Sequence, residues 1–121
     1  EILRCLVGSE MCIRDSICSS LTKAAMFGAD ANWGRVLCAI GYSGAPVDVG
    51  RIDVQFASKA GTILVCRDGA GVDFSEEEAK KILLESEIEI LIDLHSGSAV
   101  STAWGCDLTY DYVKINGDYR T

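Results

Sequence analysis

Between Glu87 and Leu94 every second residue is a large aliphatic: Ile88, Ile90, Ile92 and Leu94. A period of two puts all four on one side of an extended chain. The stretch therefore predicts a strand buried on one face, which commits the fold to a sheet with a covering layer. Arg51 to Phe56 repeats the pattern with Ile52, Val54 and Phe56 inward. Gly61 to Cys66 follows a short Ser-Lys-Ala connection and predicts a neighbouring strand, ended by the loop Asp68-Gly69-Ala70-Gly71. Next, Ser75-Glu76-Glu77-Glu78 predicts a helix start. The hydroxyl can accept from the third helical amide, and the acids suit the positive end of the helix dipole. That helix is expected to reach about Glu85.

Upstream the period is helical. Residues 16 to 27 carry Ile17, Leu21, Ala24 and Ala25 at helical spacing, with Gly28 as a stop. Asp30 and Asn32 offer caps for a second helix, Trp33 to Ile40, ending near Gly41 and Gly44 and closed off by Pro46. Downstream, Ser98 to Trp104 is expected to pair with the strand at 87–94 through a turn at His95-Ser96-Gly97. Asp107 is a candidate cap for a last helix carrying Leu108, Tyr112 and Ile115. Two helices followed by ββαββα predict an α+β fold, helices layered on a mainly antiparallel sheet.

Composition narrows the function classes. The 121 residues make about one domain, and 49% hydrophobic against 24% charged is the profile of a packed chain. A net charge of -7 argues against nucleic acid and against an anionic membrane, both of which need a basic surface. No apolar run approaches membrane-spanning length and nothing at the N-terminus has the build of a signal peptide, so a cytoplasmic protein is expected. The chain opens on Glu1 rather than Met, which points to a fragment, a processed chain or a truncated reading frame. Six cysteines, with no Cys-x-x-Cys pair and a single histidine, predict reduced thiols rather than disulfides or zinc; Cys38 and Cys66, inside apolar runs, are expected to be buried.

Few residues suggest chemistry by type alone. Asp68-Gly-Ala-Gly lacks the lysine of a phosphate loop and is better explained as a turn. His95 is either a general base at a strand end or, more commonly for such a place, a solvent-facing turn residue. Glu76, Glu77 and Glu78 are better explained as a solvated first helical turn than as cation ligands. Asn32-Trp33-Gly34-Arg35 is balanced between helix entry with a core tryptophan and a functional role. Residues 104 to 121 are dense in polar and aromatic side chains up to the last position, where chain ends are usually featureless. They look built to dock.

Two blocks carry a family likeness: Ser-Ser-Leu-Thr-Lys-Ala-Ala-Met-Phe-Gly-Ala-Asp-Ala-Asn-Trp-Gly-Arg at 19–35, and Trp-Gly-Cys-Asp-Leu-Thr-Tyr-Asp-Tyr-Val-Lys-Ile-Asn-Gly-Asp-Tyr-Arg-Thr at 104–121. Together they resemble the bifunctional glutamate N-acetyltransferase, or ornithine acetyltransferase, family (ArgJ). The likeness runs over residues 16–121 and ends where the family's polypeptide ends. It implies part of the larger ArgJ/DmpA-like fold. It also implies a precursor that cuts itself before a threonine, whose freed amine-bearing residue takes acetyl from N-acetylornithine as an ester and passes it to glutamate. Some members also use acetyl-CoA. That is covalent catalysis with oxyanion donors placed where charge develops.

The Ala-Thr-Met-Leu cleavage motif is absent, since Thr22, Thr62, Thr102, Thr109 and Thr121 all sit in other contexts. The resemblance therefore implies the C-terminal portion of the family's β chain, with no catalytic residue, metal or cofactor of its own and no activity alone. Its implied partners are the α chain and a second αβ unit, and its implied ligands are N-acetylornithine, ornithine and glutamate. Two substrate-binding positions carry over, Asn116 and Thr121; Asn32, Trp33 and Arg35 are read as structural. A free-standing binding or interaction domain and a hydrolase of the same self-cleaving fold are the competing readings. The Asn-Gly-Asp-Tyr-Arg-Thr ending counts against the hydrolase. Residues 1–15 fall outside the likeness. Cys5 to Asp15 looks like translated sequencing-adapter sequence, so the segment is expected to be non-native and loosely packed, with no structural purpose for Cys5 or Cys12.

Overall fold

The structure is a computed structural model that describes residues 2–7 and 10–118, with 2–7 and 10–13 described by backbone alone. Its strands are β1 (Ile2–Val7), β2 (Asp53–Ser58), β3 (Gly61–Arg67), β4 (Ala70–Gly71), β5 (Glu87–Asp93) and β6 (Ser101–Cys106). Its α-helices are α1 (Glu10–Cys18), α2 (Ser20–Phe27), α3 (Trp33–Gly41), α4 (Glu76–Leu83) and α5 (Tyr110–Asp118). The described strands form one sheet in the order β4-β3-β2-β5-β1-β6. Every pairing is antiparallel except β1 with β5. The α+β class read from the sequence is the observed one.

One side of the sheet is the core. Val54 and Phe56 of β2, Val65 and Cys66 of β3, and Ile88, Ile90 and Ile92 of β5 are buried in one cluster. Ile17, Ala25, Met26, Val36, Leu37, Ile40, Ala79, Ile82 and Leu83 join it from α1 to α4. The alternating residues therefore point where their period requires. A register shift between Val54 and Gln55 places one extra residue on β3, which is how consecutive residues Val65 and Cys66 are both buried. The opposite face, bearing Gln55, Glu89 and Leu91, is only half-buried.

Several expectations change. The hairpin joining β5 to β6 does not form: β1 lies between them, parallel to β5 (Ile2 opposite Glu87) and antiparallel to β6 (Ile2 opposite Cys106). The link after β5 turns where expected, with positive φ at His95 and Gly97, but it is long enough to pass β1 and return on its far side. Residues 2–7, expected to pack loosely, are thus paired on both sides. Ladder bonds are made by the main chain, so a strand's place does not require family-specific side chains. The side chains of Cys5 and Cys12 lie outside the described residues.

The expected helix at 16–27 is two helices. Ser19 ends α1 and caps α2, its hydroxyl accepting from Thr22 N at 3.3 Å. The inward face of α2 carries Thr22, Ala25 and Met26, while Leu21 is 62% exposed. Thr22 can be inward because its hydroxyl donates to Arg35 O at 3.4 Å, which offsets the cost of burying it. Among the thiols, Cys66 is buried as expected, but Cys38 lies on the exposed side of α3; with Cys18 and Cys106 they are free.

Candidate functional site

Among the described residues, the Asn32-Trp33-Gly34-Arg35 motif caps and packs helix α3. The Asn32 side chain accepts from Arg35 N at 3.2 Å and caps α3. Arg35 Nη1 donates to Leu21 O at 3.0 Å, binding α3 to α2. The Trp33 ring lies over Gly71, where an added Cβ would fall 2.6 Å from Cζ2. The Asp68-Gly-Ala-Gly segment is the expected turn, with Asp68 and Gly69 both at positive φ and Gly69 N donating to Ile52 O at 2.9 Å. Glu76, Glu77 and Glu78 are exposed in the first turn of α4, with Ser75 accepting from Glu78 N.

The final helix stands on α2. Its cap is Thr109, whose Oγ1 accepts from Tyr112 N at 3.0 Å, rather than the expected Asp107. Leu108 N donates to Lys23 O at 3.4 Å, and the Tyr110 ring meets Phe27 edge to face with centroids 5.2 Å apart. No described residue of α5 is buried, and Tyr112, Val113 and Ile115 are all exposed. Asn116 lies in the last turn, with Nδ2 donating to Tyr112 O at 2.9 Å. Its second amide hydrogen and Oδ1 carry no hydrogen bond among the described residues. The other sequence-derived position, Thr121, lies outside the described residues.

A second polar cluster was not assembled from the sequence. The Asp53 carboxylate accepts from Asp68 N at 2.8 Å and meets His95 Nε2 at 2.9 Å. His95 is held at φ 48° by its own N–H, which donates to Asp93 Oδ1 at 2.8 Å. The hydrogen bond to Asp53 raises the His95 pKa, against some desolvation, and Asp93, Asp53 and Asp68 add to it through charge. Desolvation pushes Asp53 upward but is outweighed by the Asp68 amide, His95 and Arg67, so its carboxyl lies below the ordinary range. Burial raises the thiol of neighbouring Cys66. The sequence offers no signal for this grouping, because Asp53 and His95 are brought together only by the pairing of β2 with β5.

Asp53 and Asp93 line an open depression of about 460 Å³ on the open sheet face, floored by Gln55 and Leu91 and rimmed by Ser96 to Val100. Ser96 and Ser98 share its rim, but neither is hydrogen-bonded to His95 among the described residues, so the cluster is not built to activate a hydroxyl nucleophile. Among the described residues no group of three or more His, Cys, Asp or Glu is placed to hold a metal ion. No described helix is long and apolar enough to cross a membrane. What the geometry offers is an anchored sheet presenting two things: a His–Asp clasp between turns, and a fully exposed helix tipped by an amide.

The ArgJ family model matches residues 9–121. A Clostridium acetobutylicum protein named arginine biosynthesis bifunctional protein ArgJ 1 is 49% identical over 93% of this chain and 28% of its own length. A glutamate N-acetyltransferase from Methanopyrus kandleri is 50% identical over 85% of this chain and 26% of its own length. The crystal structure of the arginine biosynthesis bifunctional protein from Bacillus halodurans superposes with a TM-score of 0.89 at 41% identity, over 98% of this chain and 58% of that one. The chain thus spans about a quarter of the length of these curated relatives.

Proposed function

The chain belongs to the ArgJ family, and from that premise we propose that it is the C-terminal portion of the β chain of a glutamate N-acetyltransferase that uses N-acetylornithine as donor. In that reading the whole protein transfers acetyl in two steps. A threonine hydroxyl at the start of the β chain attacks the N-acetyl carbonyl; an ester forms, the amide C–N bond breaks, and ornithine leaves with its amine protonated. The neutral amine of glutamate then attacks the ester carbonyl; the new amide C–N bond forms, the C–O bond to threonine breaks, N-acetylglutamate leaves, and the threonine oxygen takes up the proton released by the amine. The threonine and the oxyanion donors belong to parts of the polypeptide outside this segment, so the segment is inactive alone. Its partners are the α chain and a second αβ unit. Residues 1–15 are proposed as a non-native stretch on the likeness of Cys5 to Asp15 to translated adapter sequence, while the family match, which begins at residue 9, counts against it for residues 9–15.

What this segment supplies is recognition of the amino-acid end of the substrate by Asn116 and Thr121. An Asn side chain offers two amide hydrogens to a carboxylate and an oxygen to an ammonium, and both groups occur on ornithine and glutamate. A threonine hydroxyl, as at Thr121, can likewise donate to a carboxylate and accept from an ammonium. The observation that carries the reading is Asn116 itself: it sits in the last turn of a helix with no buried residue, with hydrogen-bonding capacity left over.

The test is Asn116→Ala in the complete polypeptide, with ornithine release and acetyl transfer to glutamate measured separately. A hydrogen bond to a charged group contributes roughly 1.5–3 kcal/mol, so kcat/KM should fall by about ten- to a hundred-fold in both half-reactions. Unchanged half-reactions would remove Asn116 from the site.

A further inference from the structure

The placement of α5 is itself a mechanical problem. The helix has nine residues, short of the roughly 12–15 at which an isolated helix becomes even marginally stable, and none is buried. Among the described residues it is held at its N-terminal end, by the Leu108 N–H to Lys23 carbonyl bond and the edge-to-face contact of Tyr110 with Phe27. The platform beneath is stiff. Ala25 and Met26 next to Phe27 are buried, and α2 is bolted to α3 by Arg35 on Leu21 O and by the Thr22 hydroxyl on Arg35 O. Asn116 lies six residues beyond Tyr110, or about 9 Å along the axis at 1.5 Å per residue. A tilt of about 10° at the Tyr110 end moves Asn116 by roughly 1.6 Å, enough to spoil a directional hydrogen bond.

We propose that Phe27 and Tyr110 are positioning residues for substrate binding: their edge-to-face contact fixes the angle at which α5 leaves α2, and thereby where the Asn116 amide meets the amino-acid end of the substrate. This rests on the assignment of Asn116 to substrate. Within this segment Tyr110 is 82% exposed and Phe27 39%, so the pair stands outside the segment's own buried cluster.

The experiment compares Phe27→Ala, Tyr110→Ala, the double variant, Tyr110→Phe and Asn116→Ala in the complete polypeptide. KM and kcat are read for N-acetylornithine and for glutamate, with the melting temperature of each variant. An edge-to-face pair of this kind corresponds to about a three- to ten-fold change in an equilibrium. The expected result is a KM raised about three- to ten-fold in each alanine variant, with kcat within about two-fold and an unchanged melting temperature. The double variant should be no worse than either single one, because the contact is lost once. Tyr110→Phe keeps the ring and should restore KM. If Asn116→Ala raises KM while the aromatic variants do not, the positioning role is refuted and the substrate assignment survives. If kcat and melting temperature fall together with KM, the pair is merely structural and the proposal is likewise overturned. If Asn116→Ala changes nothing, the substrate assignment fails and the proposal fails with it.

Discussion

Replacing Gly71 by alanine tests the contact that ties the helical layer to the short edge strand β4. The main chain at Gly71 is not in the left-handed region, so the change carries no conformational penalty of that kind. Its cost comes from Trp33, with the new Cβ placed 2.6 Å from Cζ2 and 3.0 Å from Cε2. Ordinary contact needs close to an additional ångström, and an indole ring packed against the core cannot fold away as a flexible chain would. Overpacking of this type costs about 1–3 kcal/mol. With an unfolding entropy of roughly 2.1 cal/mol/K per residue over 121 residues, each kcal/mol is about 4 °C, so the melting temperature should fall by about 4–12 °C. In a Trp33→Ala background the ring is gone. There Gly71→Ala should be neutral, or gain about 0.4–1 kcal/mol by restricting the unfolded chain. The cycle thus yields a coupling of about 1–4 kcal/mol, measured by far-UV circular dichroism melts of the four proteins. Equal costs in the two backgrounds would mean that Trp33 does not rest on Gly71, and the explanation given for this motif would be wrong.

Two further outcomes follow from other contacts. Because the His95 pKa is raised above its ordinary 6.5, its contribution to stability is complete below that pH and is lost as the pH rises through the raised value. Asp53, lowered from 3.8, contributes fully above that pH and loses its contribution as the pH falls through the lowered value. In Asp53→Asn the imidazole titration, followed by NMR, should move down toward the ordinary value; an unmoved titration would deny the pairing. In the core, Phe56 is fully buried and Phe56→Ala should cost about 3–5 kcal/mol in denaturant unfolding, with a loss below about 1 kcal/mol contradicting its placement.

The parts of the fold legible in the sequence are those written by side-chain period. Ile52, Val54 and Phe56, and Ile88 through Leu94, are buried in the alternation that their spacing demands. Ser75 and Asn32 cap the helices they precede. What failed depends on partners far away in the chain. Nothing local to β5 or β6 says that β1 comes between them, and nothing at Thr22 says that its hydroxyl will find Arg35 O and turn α2 inward. The same holds for function. Asn116 was reached through a family likeness, whereas Asp53 with His95 and Phe27 with Tyr110 exist only after folding.

The insertion of β1 between β5 and β6 also sets an order of events during synthesis. Ile2 pairs with Glu87, about 85 residues later. At roughly 5–20 residues per second, the ribosome leaves Ile-Leu-Arg-Cys-Leu-Val without its neighbours for on the order of 4–17 s, because both strands that flank it are made after α4. An unpaired strand edge left waiting is the kind of surface that chaperones bind and that neighbouring nascent chains can capture. Until β5 arrives, β2 has only β3 beside it among the described strands, so the sheet grows outward from the β2-β3-β4 meander and takes in β1 only after β5 is made. The vacancy is filled through main-chain bonds, which makes it permissive about the sequence that enters it and exacting about when.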